Sequence, residues 1–95
     1  MEHLHAATLR IAFGSPHIYR LLYTVRDQHG GAAQPYTMQG REQLQSVLTR
    51  LGLNDAEIVI IGTRVEAGIS YVLDLSHIDR ATAERVLQSF SQSLC

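Results

Sequence analysis

The sequence predicts an α+β fold: a two-layer sandwich in which a mainly antiparallel sheet carries two helices on one face. Segments in the first forty residues alternate apolar and polar side chains, which is typical of half-buried strands. Two later segments repeat apolar residues every three or four positions, which is typical of amphipathic helices. The connections are short and favour antiparallel neighbours. We therefore expect one domain, residues 1–95, with the element order β-β-β-α-β-β-α.

The first three elements are predicted to be strands. Residues 3–13 alternate, and one face collects Ala7, Leu9, Ile11 and Phe13. Residues 17–26 fit a strand or a helix. As a strand, they point Tyr19, Leu21, Tyr23 and Val25 to the core; as a helix, they follow a Ser15 cap. Their β-branched and aromatic side chains favour the strand. A glycine-containing loop over residues 27–35 precedes a short third strand, "PYTMQ".

Both helices have a recognisable apolar stripe. The first is predicted over residues 41–51, with Leu44, Val47, Leu48 and Leu51 buried. Gly52 follows as a left-handed stop. The second is predicted over residues 77–93, behind a capping box of Ser76 and Asp79. Its predicted buried stripe is Ile78, Ala83, Val86, Leu87, Phe90 and Leu94.

Residues 57–75, "EIVIIGTRVEAGISYVLDL", are predicted to form a hairpin between the helices. A type I turn with Gly68 in the left-handed conformation sets its register. The predicted core face is Val59, Ile61, Val65, Ile69, Tyr71, Leu73 and Leu75. The predicted outer face is Ile58, Ile60, Gly62, Arg64, Ser70, Val72 and Asp74.

Composition limits the functions that the chain can have. The formal net charge is −1 at pH 7, so the protein as a whole has no basic excess that would attract nucleic acid. No apolar run is long enough to span a membrane, and the N-terminus lacks the pattern of a signal peptide. Cys95 is the only cysteine and cannot form an internal disulfide. We expect a cytoplasmic protein without membrane contact.

Candidate catalytic and metal-binding residues are few. His3 and His5 would share one face of a strand, but the sequence offers no third ligand at a recognisable spacing, so we predict no metal site. Ser76 beside His77 lacks a nucleophile motif and is explained as a helix cap. We therefore assign no catalytic residue and no cofactor.

The outer sheet face is the strongest candidate binding surface. Its predicted members are Arg10, Arg20, Arg26, Arg64, Ile58, Ile60 and Val72. A mixture of arginine and apolar side chains is typical of protein interfaces. The successive apolar residues of "IVII" would also leave Ile58 and Ile60 uncovered on this face, which favours a homodimer packed face to face.

These observations predict a non-catalytic interaction or regulatory module that acts as a homodimer and binds another protein. The alternative is a binder of a small anionic ligand or nucleic acid on the arginine-bearing face. Nucleic acid is disfavoured because Tyr19, Tyr23 and Tyr71 are predicted to face the core rather than to offer stacking platforms. A small enzyme is the third hypothesis.

Overall fold

The computed structural model describes residues 6–15, 17–28 and 30–91. Within these ranges a four-stranded antiparallel sheet, in the strand order β3-β2-β1-β4, packs against three helices. The elements are β1 (Ala6–Ser15), β2 (Ile18–Asp27), β3 (Gly30–Gln39), α1 (Gly40–Arg50), α2 (Asp55–Glu66), β4 (Tyr71–Asp74) and α3 (Arg80–Ser91). The predicted α+β class and antiparallel sheet are confirmed. One element of the predicted order is wrong, because residues 57–66 belong to a helix.

β1 and β2 alternate buried and exposed side chains, and the buried ones pack against the helices. The predicted strand at residues 17–26 is confirmed, and its Tyr19, Leu21, Tyr23 and Val25 are all buried. They pair in register with the buried positions of β1, so that Leu9 lies opposite Tyr23 and Ile11 opposite Leu21. Both strands therefore bury one face and expose the other.

The third strand is longer than the sequence indicates. Residues 30–34, predicted to belong to a loop, pair with β2 as part of β3. This first half of β3 is exposed on both faces, whereas Tyr36 and Met38 in the second half are buried. β3 is an edge strand, which is where a proline such as Pro35 is tolerated within a sheet.

All three helices lie on the same face of the sheet. α2 packs over β1 and β4, α1 packs over β2 and β3 and contacts both other helices, and α3 packs over β3. The predicted first helix is confirmed, with Leu44, Val47 and Leu48 buried. It ends in a Schellman motif in which Gly52 has φ +101° and the Leu53 amide donates to the Leu48 carbonyl over 3.1 Å.

The segment predicted as the first strand of a hairpin is helix α2. Asn54 and Glu57 form a capping box: the Glu57 amide donates to the Asn54 side chain at 2.9 Å, and the Asn54 amide donates to the Glu57 carboxylate at 3.0 Å. The buried residues follow helical spacing at Ile58, Ile61, Gly62 and Val65.

Several predicted faces of the hairpin are therefore wrong. Val59 and Ile69, assigned to the core, are each 57% exposed. Ile58 and Gly62, assigned to the outer face, are buried. β4 pairs with β1 rather than with residues 57–66 and places Leu73 opposite Leu9. The predicted hairpin register is wrong because this segment, although rich in β-branched residues, forms a helix that starts at the Asn54 capping box.

Two predicted turn features have different structural roles from those expected. Gly68 does have positive φ, at +95°, but it ends α2 rather than turning a hairpin: the Ile69 amide donates to the Arg64 carbonyl at 3.0 Å. α3 starts at Arg80, after Asp79 accepts a hydrogen bond from the Thr82 amide at 3.1 Å. Ser76 instead accepts from the Ala7 amide at 3.1 Å and so joins the end of β4 to β1.

One polar cluster links two helices to the sheet. Arg41 of α1 bonds to Glu66 of α2 at 2.8 Å, and the Tyr19 hydroxyl donates to the same carboxylate oxygen. The Arg41 guanidinium lies directly over Gly62, where a Cβ would come within 2.5 Å of it. Burial, and secondarily the hydrogen bond to Glu66, raises the pKa of Tyr19 to about 12, so the hydroxyl remains a donor at neutral pH.

We expect Gly68→Ala to destabilise the protein by about 1 kcal/mol, because alanine must adopt the left-handed conformation there. Chemical denaturation measures the difference in free energy of unfolding. Gly31→Ala is the matched control: Gly31 is an exposed glycine without positive φ, and an added Cβ would lie at an ordinary 3.5 Å from the Val25 carbonyl. Equal effects of the two substitutions would contradict the helix ending described here.

We expect substitution by phenylalanine to affect stability differently at two buried tyrosines. Tyr19→Phe removes a hydroxyl that is hydrogen-bonded to Glu66, and we expect it to cost about 1 kcal/mol. Tyr23→Phe removes a buried hydroxyl that has no hydrogen-bond partner among the described residues, and we expect no loss or a gain of up to about 1 kcal/mol. Thermal and chemical denaturation of the two variants test this contrast, which a larger loss for Tyr23→Phe would refute.

Candidate interaction surface on the sheet

The helices of the described residues all cover the same face of the sheet, and we call the other face the open face. Its side chains come from the strand positions that alternate with the buried ones. The register places Val72, Arg10, Leu22 and Pro35 in one row across all four strands. The next rows pair Thr8 with Asp74 and Thr24, and Arg20 with Ala12 and Thr37.

The structure brings together only part of the predicted binding surface. Arg10, Arg20, Arg26 and Val72 lie on the open face, as predicted, and all four are exposed. Arg64 and Ile60 are exposed on α2, which lies in the helical layer, and Ile58 is buried in the core. The predicted face combining all seven residues is therefore wrong, because residues 58–64 are helical and leave the sheet.

The arginines of the open face are not neutralised within the described part of the chain. Arg10, Arg20 and Arg26 make no ion pair with a described residue. Asp74 is the acidic member of the face. Its carboxylate accepts from the Ser76 hydroxyl at 2.6 Å and from the Ser76 amide at 3.0 Å, and these bonds lower its pKa. Among the described residues, three arginines and one carboxylate thus share this face, although the net charge of the chain is −1.

The arginines sit among small and aliphatic neighbours. Leu22 is 37% exposed and Val72 is 57% exposed, and both lie directly beside Arg10 in the register. Arg20 lies over Gly14, where a Cβ would come within 2.8 Å of the Arg20 Nε. Arginine stems can cover such apolar neighbours while their guanidinium groups stay in water.

The open face lacks the features of an RNA-stacking platform. Its described residues include no aromatic side chain, since Tyr19, Tyr23 and Tyr36 all point to the helical layer. The described residues of the open face thus form a cationic and partly apolar surface.

The remaining question is whether the chain offers ligands for a metal ion. His3 and His5 lie outside the described residues. Within the described ranges, no three His, Cys, Asp or Glu side chains group closely enough to hold a metal ion.

Two features of the surface were not predicted from the sequence: part of the open face and the exposed aliphatic side of α2. Pro35 and Thr37 join the open face because β3 extends across the sheet, and their signal was only the alternation with Tyr36 and Met38. The aliphatic outer side of α2 was also missed. Its signal was present in "NDAE", residues 54–57, which has the spacing of a capping box.

Comparisons with protein-family models, with curated proteins and with solved structures gave no match to this chain. None of the helices formed by the described residues combines the length and the apolar character needed to cross a bilayer.

Because Arg10 is exposed and makes no ion pair with a described residue, we expect Arg10→Glu to change the free energy of unfolding by no more than about 0.5 kcal/mol. Arg80→Ala should lower the thermal midpoint, since Arg80 bonds both Asp27 at 3.0 Å and Glu84 at 3.1 Å. Differential scanning fluorimetry compares the variants directly. A larger loss for Arg10→Glu than for Arg80→Ala would mean that the open face has a structural role.

Proposed function

We propose that the protein is a non-catalytic interaction module whose open face binds an acidic surface of another protein. The observation that carries this proposal is the set of three exposed arginines, Arg10, Arg20 and Arg26, without ion pairs to the described residues. Arginine is enriched in protein interfaces because its planar guanidinium can bind carboxylates with two parallel hydrogen bonds.

The neighbours of the arginines favour a protein partner over nucleic acid. Leu22, Val72 and Pro35 lie in the same row as Arg10 and would contact apolar side chains of a partner. Single-stranded nucleic acid would gain little from these aliphatic groups, because its bases bind best to aromatic platforms. Arg10, Arg20 and Arg26 lie in three different rows of the sheet, and this spread suits a broad protein surface better than a small ligand, which is bound in a compact concave site.

The same charge pattern makes face-to-face pairing of two open faces unfavourable. A two-fold axis through this face would bring the cationic rows of both copies together, and like charges in an interface cost affinity. The proposed partner of the open face is therefore a different, acidic protein. The homodimer predicted from the sequence needs another surface.

The test is titration of the isotope-labelled protein with an acidic peptide of alternating glutamate and leucine, and separately with single-stranded oligouridine RNA. We expect the peptide to shift the amide resonances of Arg10, Arg20, Leu22 and Val72. Reversal of two charges, Arg10→Glu with Arg20→Glu, should abolish these shifts. Arg85→Glu is the matched control, because Arg85 is an exposed arginine on α3, away from the sheet.

Each outcome of this titration has a definite meaning. Peptide binding that survives the double reversal, or that is lost equally in Arg85→Glu, contradicts the proposal. Tighter binding of the RNA through the same residues, weakening steeply with salt, would replace it with the nucleic-acid hypothesis. Absence of shifts with both probes would reject the open face as a binding surface for acidic ligands.

A further inference from the structure

α2 differs from the other helices in the character of its outward side. The solvent-facing residues of α1 and α3 are mostly polar, for example Glu42, Gln45 and Thr49 on α1 and Arg85 and Gln88 on α3. The outward side of α2 and its C-cap instead presents Ala56, Val59, Ile60, Thr63 and Ala67. Val59 is 57% exposed and Ile60 is 51% exposed. An exposed apolar patch on a folded protein commonly marks a contact with another molecule.

These outward residues follow the spacing of a helix–helix interface. Ala56, Ile60, Thr63 and Ala67 are separated by four, three and four positions, which keeps them in one row along the helix. Alanine and threonine are small enough for a second helix to approach closely. The row reads similarly in both directions, with alanine at each end and the larger residues in the middle, so it is complementary to an antiparallel copy of itself.

A pair of opposite charges on one flank of this row favours the same arrangement. Glu57 and Arg64 lie two turns apart on one flank of the row, and both are exposed. In an antiparallel pair of α2 helices, Glu57 approaches the partner's Arg64, and Arg64 approaches the partner's Glu57. A parallel pair related by a two-fold axis would instead set this flank against the partner's opposite flank and bring Glu57 to the partner's Asp55. The antiparallel pair brings Asp55 near the partner's Glu66, whose carboxylate is already bound by Arg41 and Tyr19. Glu57 uses its Oε1 in the capping box, which leaves Oε2 for the contact with arginine.

We propose that the protein forms a homodimer in which α2 packs antiparallel against α2 of a second copy. Ile60 packs at the centre against the partner's Thr63, and Ala56 lies at the end against the partner's Ala67. Two symmetric ion pairs between Glu57 and Arg64 flank the contact. This inference is independent of the proposed function, because α2 belongs to the helical layer and the open face lies on the other side of the sheet.

The test is sedimentation equilibrium of the full chain from micromolar to submillimolar concentration. A single chain has a mass of 10.6 kDa, and we expect twice that mass at the upper concentrations. Ile60→Asp should give the mass of one chain with an unchanged circular dichroism spectrum, because it places a charge at the centre of the contact. Val72→Asp is the matched control, because it changes an equally exposed aliphatic residue on the open face. This control should keep the mass of two chains.

A second variant and a crosslink test the orientation without placing a charge in the apolar row. Arg64→Glu should raise the dissociation constant at least about tenfold, because both ion pairs become repulsive. With Cys95 changed to Ser, a mixture of the Ala56→Cys and Ala67→Cys chains should form the mixed disulfide rather than the disulfide between two Ala56→Cys chains.

Three results would overturn the proposal. One is the mass of a single chain at every concentration, as expected if another protein covers α2. The second is a dimer that Ile60→Asp or Arg64→Glu leaves intact. The third is preferential crosslinking of Ala56→Cys chains to each other, which requires parallel helices.

Discussion

The fold of the described residues depends on a sheet whose helices all pack on one face. β2 is the strand on which this arrangement centres, since it pairs with β1 on one side and β3 on the other and buries four large side chains toward the helices. Its strict alternation assigns every neighbouring side chain to a face through the register. Because hydrophobic burial drives folding, the three helices must all collect on that face. The open face is left to side chains that tolerate water, which is why it can carry arginine.

The sequence was sufficient to predict the strands and helices with unambiguous periods, and it failed where two periods competed. β2 alternates along its whole length and β1 alternates over residues 6–12, and the stripe of Leu44, Val47 and Leu48 fits only a helix. "EIVIIGTRV" fits both patterns, because its β-branched residues favour a strand while its buried positions are spaced three and four apart. In the structure this segment is a helix, which begins with the capping box of Asn54 and Glu57. Local caps therefore carried more information here than β propensity.

The candidate surface was predictable to the same extent as the strands. The face of Arg10, Arg20 and Arg26 was predicted correctly because β1 and β2 were predicted as strands. The face of Val72 was also correct, because its alternation within β4 holds even though β4 pairs with a different strand from the predicted one. Ile58, Ile60 and Arg64 were misplaced together, since one wrong element moves all of its residues to the wrong layer. Positive φ at Gly68 was predicted correctly although the hairpin was not. A glycine that follows a helix and a glycine in a hairpin turn both adopt the left-handed region.

The first half of β3 belongs to the sheet but contributes little to the buried core. Residues 30–35 pair with β2 through the backbone, yet their side chains are exposed on both faces and are mostly glycine and alanine. This end of the hairpin is held by hydrogen bonds and not by its own buried side chains, so its separation from β2 removes little apolar contact from β3. Local opening of such a segment costs much less than global unfolding. Amide exchange with solvent can thus proceed at the tip of the hairpin while Tyr36, Met38 and the helices above them stay closed.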